Sequence, residues 1–205
     1  MNTQKQVLFV GAVLAAMTLP TIAQTTNGSS NGSNPPTIQQ RKENQQDRIA
    51  NGVQSGQLTA NETSNLEKKE SNVNKEEKLM RSEDNGKLTS SDRKALNQQQ
   101  NQLSKQIYKD KHNSAVQNTN PKSEVGKRAE NQQDRIAQGI KSGQLTAGEA
   151  SHLEKKEAGI NREVRNDRAA NGGKLTAGER AQVNRQQNKT SRKIYRDKHN
   201  AKRQG

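Results

Sequence analysis

The sequence is short of the residues from which large cores, disulfides and reactive thiols are made. Its 205 residues include no cysteine and no tryptophan, and the only aromatics are two tyrosines and one phenylalanine. The absence of cysteine excludes a disulfide framework, a thiol nucleophile and a lipoprotein-type lipid anchor. Hydrophobic residues make up only 26% of the chain. Little apolar surface is therefore available for burial, and we expect marginal stability.

Proline is also scarce, and all four prolines lie outside two long segments that share one sequence. Residues 41–113 and 128–200 align without a gap at an offset of 87 residues, with 42 identities in 73 positions. An interior proline costs a helix about 3 kcal/mol. Its absence from both copies therefore favours a helical unit that is used twice.

The amino terminus has the pattern of a secretory signal peptide. An apolar run at residues 7–19 follows a short region with one lysine, and small residues then occupy the expected cleavage site. This pattern predicts a signal peptide over residues 1–23, cleaved before Gln24, and hence a secreted or periplasmic bacterial protein. The run is too short to span a bilayer, so we expect no transmembrane segment after cleavage.

Three further segments lie outside the two copies. Residues 24–40 are rich in Gly, Ser, Asn and Pro, which is typical of a disordered polar tether. Residues 114–127 predict a flexible linker, with Pro121 as a helix stop. Residues 201–205 form a basic tail.

A Gly-x-Leu-Thr string occurs twice in each copy and marks boundaries between helices. The glycine suits the left-handed residue that ends a helix, and Thr-x-x-Glu or Thr-x-x-Asp is a capping box that begins the next one. The structural caps predicted in this way are Gly56, Thr59 and Glu62; Gly86, Thr89 and Asp92; Gly143, Thr146 and Glu149; Gly173, Thr176 and Glu179.

Helical spacing of the apolar residues supports the same division. Leu153, Ile160 and Val164 recur at steps of seven and four residues in one segment, as do Leu96, Leu103 and Ile107 in another. We therefore predict an all-α fold made of two tandem three-helix repeats. The predicted helices span roughly 42–54, 60–84, 90–112, 129–141, 147–171 and 177–199.

The four turns resemble the second half of an EF-hand loop, which has glycine at position 6, an aliphatic residue at 8 and a carboxylate at 12. The ligand half departs from that family, since Arg81 and Arg168 stand where the first aspartate belongs. The resemblance implies a calcium-responsive module, and without calcium binding the turns are structural corners that need no cofactor. The candidate calcium ligands are Glu83, Asn85, Thr89 and Asp92.

The repeat as a whole is similar to uncharacterised exported bacterial proteins. The strings that carry this resemblance are RIxxGxxSGxLTxxE near the start of each copy and IYxDKH near its end. The resemblance spans both copies and implies no activity.

The Tyr-x-Asp-Lys-His string near the end of each copy also has side chains suited to acid–base or metal chemistry. Each copy offers one histidine there, His112 and His199, with no nucleophile in reach and too few ligands for a metal. A histidine at a helix end more often caps the last carbonyl groups. We therefore expect no enzymatic activity.

Positive charge is the most informative feature of the composition, with a formal net charge of +14. On a helix over 177–199, five cations fall on the face opposite Val183 and Ile194, and three more extend the basic region to the end of the chain. These candidate polyanion-binding residues are Arg185, Lys189, Arg192, Lys193, Arg196, Lys198, Lys202 and Arg203.

Such a stripe attracts acidic polymers or anionic envelope surfaces by counterion release, with little sequence preference. Two tyrosines cannot form a stacking platform, so sequence-specific nucleic-acid binding is not expected. Two other functions stay open, the calcium-responsive module and a hydrophilin-like protective protein. The latter is suggested by the many Gly, Gln and Asn residues and by a mean hydropathy of −1.29.

Overall fold

The capping boxes define the helices in the computed structural model, which describes residues 35–117 and 122–204. The predicted signal peptide and most of the predicted tether lie outside the described residues. Within the described residues there are six helices and no strand, so the prediction of an all-α chain is confirmed. The helices are α1 (Ile38–Gln54), α2 (Ala60–Glu83), α3 (Ser90–Lys111), α4 (Glu124–Lys141), α5 (Ala147–Ala170) and α6 (Ala177–Lys198).

All four predicted threonine caps begin a helix in the manner expected. At the start of α2, for example, the Thr59 hydroxyl accepts a hydrogen bond from the Glu62 backbone N–H, and the Glu62 carboxylate accepts one from the Thr59 N–H. Asp92 completes the box of α3 in the same way. The glycines before these caps, including Gly56 at φ 71° and Gly173 at φ 87°, are left-handed, as a helix-ending turn requires.

The first helix of each copy begins earlier than predicted. Thr37 caps α1 through a box with Gln40, so the helix starts at Ile38, inside the segment predicted to be a tether. Ser123 caps α4, which starts at Glu124 inside the predicted linker. Thr-x-x-Gln is itself a capping signal, and the sequence therefore contained the information for the start of α1.

A single hydrophobic core is built from both copies. It combines side chains of α1, α2 and α3 with those of α4, α5 and α6, so the two copies do not form separate cores. Its members are Ile49, Ala50, Val53, Leu58, Leu66, Leu103, Ile107, Ile136, Ala137, Ile140, Leu145, Ala150, Leu153 and Ile194. Smaller clusters extend each copy outward, one around Ile160 and Val183 and the other around Val73 and Leu96.

The copies meet mainly through α2 against α5 and α1 against α4. Ser64 of α2 and Ser151 of α5 are equivalent positions, and each hydroxyl donates to the other's backbone carbonyl, at 2.9 and 2.8 Å. This reciprocity indicates that equivalent faces of the two copies are in contact, as in an isologous dimer interface.

The segment that follows each copy folds back onto the beginning of that copy's second helix. Gln117 donates its backbone N–H to the Gly56 carbonyl at 2.9 Å, and its side-chain oxygen accepts from the Ala60 N–H at 3.0 Å. Gln204 makes the same two contacts with Gly143 and Ala147. The segment after α3, predicted to be a flexible linker, is thus tied down as far as residue 117.

Candidate anion-binding surface

Helix α6 places the predicted basic stripe on its solvent side. Val183 and Ile194 are fully buried, while Arg185, Lys189 and Arg192 are exposed, as is Arg196. The helical-wheel prediction of a cationic face opposite the apolar one is therefore consistent with the burial pattern of the helix. Lys193 differs, because it is half-buried and forms an ion pair with Asp197 at 2.8 Å.

Most of the stripe borders a groove of about 1140 Å³ between α4, α5 and α6. Ile160, Gly159 and Thr190 are among the residues that form its wall, and Glu163 is the acidic residue that lines it. Two cations from outside α6 join the groove and were not predicted. Its basic residues are Arg135, Lys156, Lys189, Arg192, Lys193 and Arg196.

Hydrogen bonds hold the edges of this groove in place. The Arg135 guanidinium donates to the Ser191 hydroxyl at 2.6 Å and to its carbonyl at 3.2 Å, which links α4 to α6. Glu163 accepts from the side-chain amides of Gln182 and Gln186, at 2.8 and 2.7 Å. Among the described residues Glu163 forms no ion pair, and its single charge offsets only part of the positive charge of the six basic residues that line the groove.

The structure does not bring all of the predicted cations together. Arg185 lies on the exposed face of α6 but outside the groove. Lys198 is half-buried against α4, where its ammonium group is 3.4 Å from the Gln138 side-chain oxygen, and burial together with the nearby Arg135 lowers its pKa. Lys202 and Arg203 line a different cleft.

Sequence reasoning missed Arg135 and Lys156 because they belong to other helices. Lys156 is exposed on α5, and Arg135 lies 56 residues before Ser191, the α6 residue to which it donates. The only sequence signal for Arg135 is its position one residue before the buried Ile136, which places it at the rim of a packed face.

The first copy provides an internal comparison for the groove. It has the same scaffold, in which Arg48 donates to the Ser104 hydroxyl at 2.6 Å. Two of the six cations of the groove, and Arg185 beside it, are replaced there by neutral amides, so the equivalent surface is less basic. The positions equivalent to Arg185, Lys189 and Lys193 are Gln98, Gln102 and Gln106.

The candidate calcium loop is used for capping. Asp92 accepts from the Thr89 N–H at 2.8 Å, and its own N–H donates to the Thr89 hydroxyl at 3.1 Å. These hydrogen bonds lower the pKa of Asp92. Asn85 stands in the turn at φ 52°. Within the residues that the structure describes, no three His, Cys, Asp or Glu side chains are grouped so that they could hold a metal ion.

The histidines cap their helices as predicted. The Nδ1 atom of His112 lies 2.7 Å from the Tyr108 carbonyl oxygen, and that of His199 lies 2.7 Å from the Tyr195 carbonyl oxygen. Each imidazole stacks on its tyrosine ring, with centroids 4.1 and 4.2 Å apart. The next residue, Asn200, donates to the capping Glu149 at 2.8 Å, so the end of the motif stabilises the start of α5.

Four glutamates of α2 and α5 are buried, which the sequence pattern did not predict. Glu67 and Glu154 each accept one hydrogen bond, from Gln46 at 3.3 Å and from Gln133 at 3.0 Å. The two carboxylate oxygens of Glu70, and likewise those of Glu157, have no hydrogen-bond partner among the described residues. The four glutamates are Glu67, Glu70, Glu154 and Glu157.

Burial governs the ionisation of these glutamates. It raises the pKa of Glu157 to about 8, and it raises that of Glu154 to about 8 although Gln133 donates to the carboxylate. Burial raises the pKa of Glu70 to only about 7, since the charge of Lys42 opposes the effect. The pKa of Glu67 is raised by burial and by repulsion from neighbouring glutamates.

No helix among the described residues is long and apolar enough to cross a membrane. No protein-family model, curated protein or solved structure is significantly similar to this chain.

Proposed function

We propose that the protein is a non-enzymatic exported helical repeat protein that binds acidic polymers or anionic surfaces of the cell envelope through the groove beside α6. The observation that carries this proposal is the convergence of six cations from three helices on one groove with a single acidic lining residue. Export rests on the sequence pattern of residues 1–23.

The shape and charge of the groove fit an extended anion better than an apolar ligand. Exposed cations that follow one helix release counterions when a chain of negative charges lies along them. Tyr195, which is 60% exposed, adds a flat apolar face at the groove wall. Sugar rings or acyl-free headgroups can pack on such a face while their phosphates or sulfates meet the cations.

Marginal stability is part of the same proposal. The core that the two copies share is small, and four carboxyl groups occupy buried positions where apolar side chains could stand. A ligand that binds only the folded chain would stabilise it by mass action. We therefore expect the unfolding temperature to rise when an acidic polymer is added.

Retention on immobilised heparin and binding to phosphatidylglycerol vesicles test the proposal. The triple variant Arg185→Gln, Lys189→Gln, Lys193→Gln installs the residues that the first copy has at these positions. Its fold should persist, because Gln106 donates to Asp110 at 2.8 Å in the place where Lys193 pairs with Asp197. We expect this variant to elute at much lower salt than the unmodified protein.

A matched control removes the same charge from the first copy, as Lys69→Gln, Lys105→Gln, Lys109→Gln. All three of these lysines are exposed, and they are equivalent to Lys156, Arg192 and Arg196. This control should elute near the unmodified protein. Equal losses in the two triple variants would show that only net charge matters and would rule out the groove as the binding site.

A further inference from the structure

A second cleft, of about 820 Å³, lies between α2 and the beginning of α5. None of its lining residues also lines the α6 groove. Basic side chains reach it from three parts of the chain: α1, the second half of α2, and the segment that follows α6. They are Lys42, Lys75, Lys78, Arg81, Lys202 and Arg203.

The acidic residues of this cleft already have partners. Glu77 lies 3.0 Å from the Lys42 ammonium and 2.8 Å from the Arg81 guanidinium. Glu149 accepts hydrogen bonds from Thr146 at the start of α5 and from Asn200. Glu77 is therefore paired with Lys42 and Arg81, whereas Glu149 keeps its charge, and attraction to the nearby Lys202 contributes to the lowering of its pKa.

Four exposed cations line the cleft and form no direct ion pair within the described part of the chain. Among the described residues, Lys75, Lys78, Lys202 and Arg203 form no ion pair with any carboxylate. Arg203 instead donates to backbone carbonyls of its own segment, those of Asn200 and Lys202. Glu149 alone does not balance four cations, and gathering this excess of like charge costs free energy that an anionic ligand would recover.

The fold holds the two cations that follow α6 in position. Gln204 donates its N–H to the Gly143 carbonyl at 3.1 Å, and its side-chain oxygen accepts from the Ala147 N–H at 2.6 Å. These contacts anchor the chain directly after Arg203. Gly148 lines the cleft at the second position of α5, where a Cβ atom would lie 3.3 Å from the Ser71 hydroxyl.

Comparison with the first copy shows that the fold does not require the positive charges of Lys202 and Arg203. Gln117 anchors the first copy through the same pair of hydrogen bonds that Gln204 makes. The residues before Gln117, however, are Ala115 and Val116, which correspond to Lys202 and Arg203. The anchoring is thus shared, whereas the cations are particular to the cleft beside α5.

We propose that this cleft binds a small soluble ligand with clustered phosphate groups. Its volume is within the range of roughly 300–1000 Å³ that small-molecule sites occupy. Cations on opposite walls can contact several phosphate oxygens at once, with charge-assisted hydrogen bonds that are stronger than those between neutral groups. A long polymer is less suited to the cleft, because its cations surround a concavity and do not follow one helix.

Calorimetric titration of the full chain with tripolyphosphate at low ionic strength tests the proposal. We expect one site per chain. The double variant Lys75→Gln, Lys78→Gln should weaken it by about tenfold or more, because two charge-assisted contacts are lost. Lys202→Gln, Arg203→Gln should have a similar effect from the opposite wall.

The matched control is Arg162→Gln, Arg165→Gln. These two arginines are exposed and occupy the positions equivalent to Lys75 and Lys78 in the second copy, so the control loses the same charge. Its affinity for tripolyphosphate should stay within about twofold of the unmodified protein. Equal weakening in the control and the cleft variants, or no saturable binding by the unmodified protein, would overturn the proposal.

Binding to vesicles distinguishes this site from the α6 groove. A phosphatidylglycerol surface presents its phosphates on a plane that cannot enter the cleft, so Lys75→Gln, Lys78→Gln should leave vesicle binding unchanged. The α6 triple variant should lose vesicle binding and keep tripolyphosphate binding. Loss of both activities in the same cleft variant would show that the cleft is part of a general anionic surface, which contradicts the proposal.

Discussion

Ser64 and Ser151 exchange hydrogen bonds across the molecule, each hydroxyl donating to the backbone carbonyl of the other. They are one position of the duplicated sequence, so the exchange has the two-fold relation of an isologous contact within a single chain. Such a contact is ordinarily formed between subunits of a homodimer. Here it joins α2 to α5, and apolar residues of both copies form one core.

The serine pair should stabilise the contact between the copies. Ser64→Ala and Ser151→Ala each remove one donor from a partly buried position, and each should lower the free energy of unfolding by about 1 kcal/mol. The double variant should lose about 2 kcal/mol, measured by denaturant unfolding. The control Ser114→Ala changes an exposed serine without a hydrogen bond and should stay within about 0.5 kcal/mol. Single variants that unfold like the control would contradict the role of this pair.

The two copies fill one equivalent pair of buried positions with different residues, so the residues of the second copy can be introduced into the first. The ion pair Lys42–Glu77 is buried in the first copy, and Ala129 and Val164 occupy the equivalent positions in the second. Lys42→Ala alone should destabilise the protein by about 3 kcal/mol, because Glu77 keeps its charge with only Arg81 as partner. The double variant Lys42→Ala, Glu77→Val should regain most of this loss, since it recreates the apolar pair of the second copy. A double variant less stable than the single would refute the equivalence.

The buried glutamates predict a stability that falls as the pH rises. A carboxyl group whose pKa is raised by folding contributes most below its unfolded pKa of about 4.5, and that contribution is lost as the pH passes its folded pKa. The folded values are about 7 for Glu70 and about 8 for Glu154 and Glu157. Thermal unfolding temperatures should therefore decrease between pH 5 and pH 9.

The variant Glu157→Gln isolates this effect. It keeps the shape of the side chain but cannot ionise, so it should match the unmodified protein at pH 5 and be more stable at pH 9. Glu70→Gln should gain less, because Lys42 partly compensates the charge of Glu70 and its pKa is raised less. Carboxylates with lowered pKa values, such as Glu77 and Glu149, oppose the trend only below about pH 4.5. A flat pH profile, or equal gains at both pH values, would contradict the burial of Glu157.

Close packing of α4 on the turn that follows it explains why residue 139 is a glycine. A methyl group at Gly139 would lie 2.6 Å from the Leu145 side chain, a distance that requires a shift of the core. Gly139→Ala should therefore destabilise the protein by about 1–3 kcal/mol. Gly178→Ala meets no atom within 4 Å in the first turn of α6, and it should stabilise by about 0.5 kcal/mol. Unfolding in urea distinguishes the two, and a neutral Gly139→Ala would show that this turn is loosely packed.

The helices could be predicted closely because their signals are local. Thr59, Thr89, Thr146 and Thr176 fixed the starts of four helices, and the apolar spacing identified residues that are buried in the structure, such as Ile107. The early start of α1 was missed although Thr37 and Gln40 carry the same signal.

The association of the copies could not be predicted in this way. Ser64, Glu67 and Glu70 of α2 have the residue types of a solvent-exposed face, yet all three are buried, and Ser64 is in contact with Ser151 of α5. A sequence pattern does not reveal which polar face finds a partner 87 positions away. For the same reason the α6 stripe was visible as a helical pattern, whereas Arg135 and Lys156 joined it only through tertiary packing.

The salt dependence of heparin affinity tests the central claim most directly. The logarithm of the association constant should fall linearly with the logarithm of the salt concentration, with a slope set by the number of cations in contact. In the Arg185→Gln, Lys189→Gln, Lys193→Gln variant, which removes two cations from the groove, the slope should become shallower by about two units. The Lys69→Gln, Lys105→Gln, Lys109→Gln variant should keep the slope of the unmodified protein. An unchanged slope in the first variant, or the same decrease in both, would contradict the assignment of the α6 groove as the anion-binding surface.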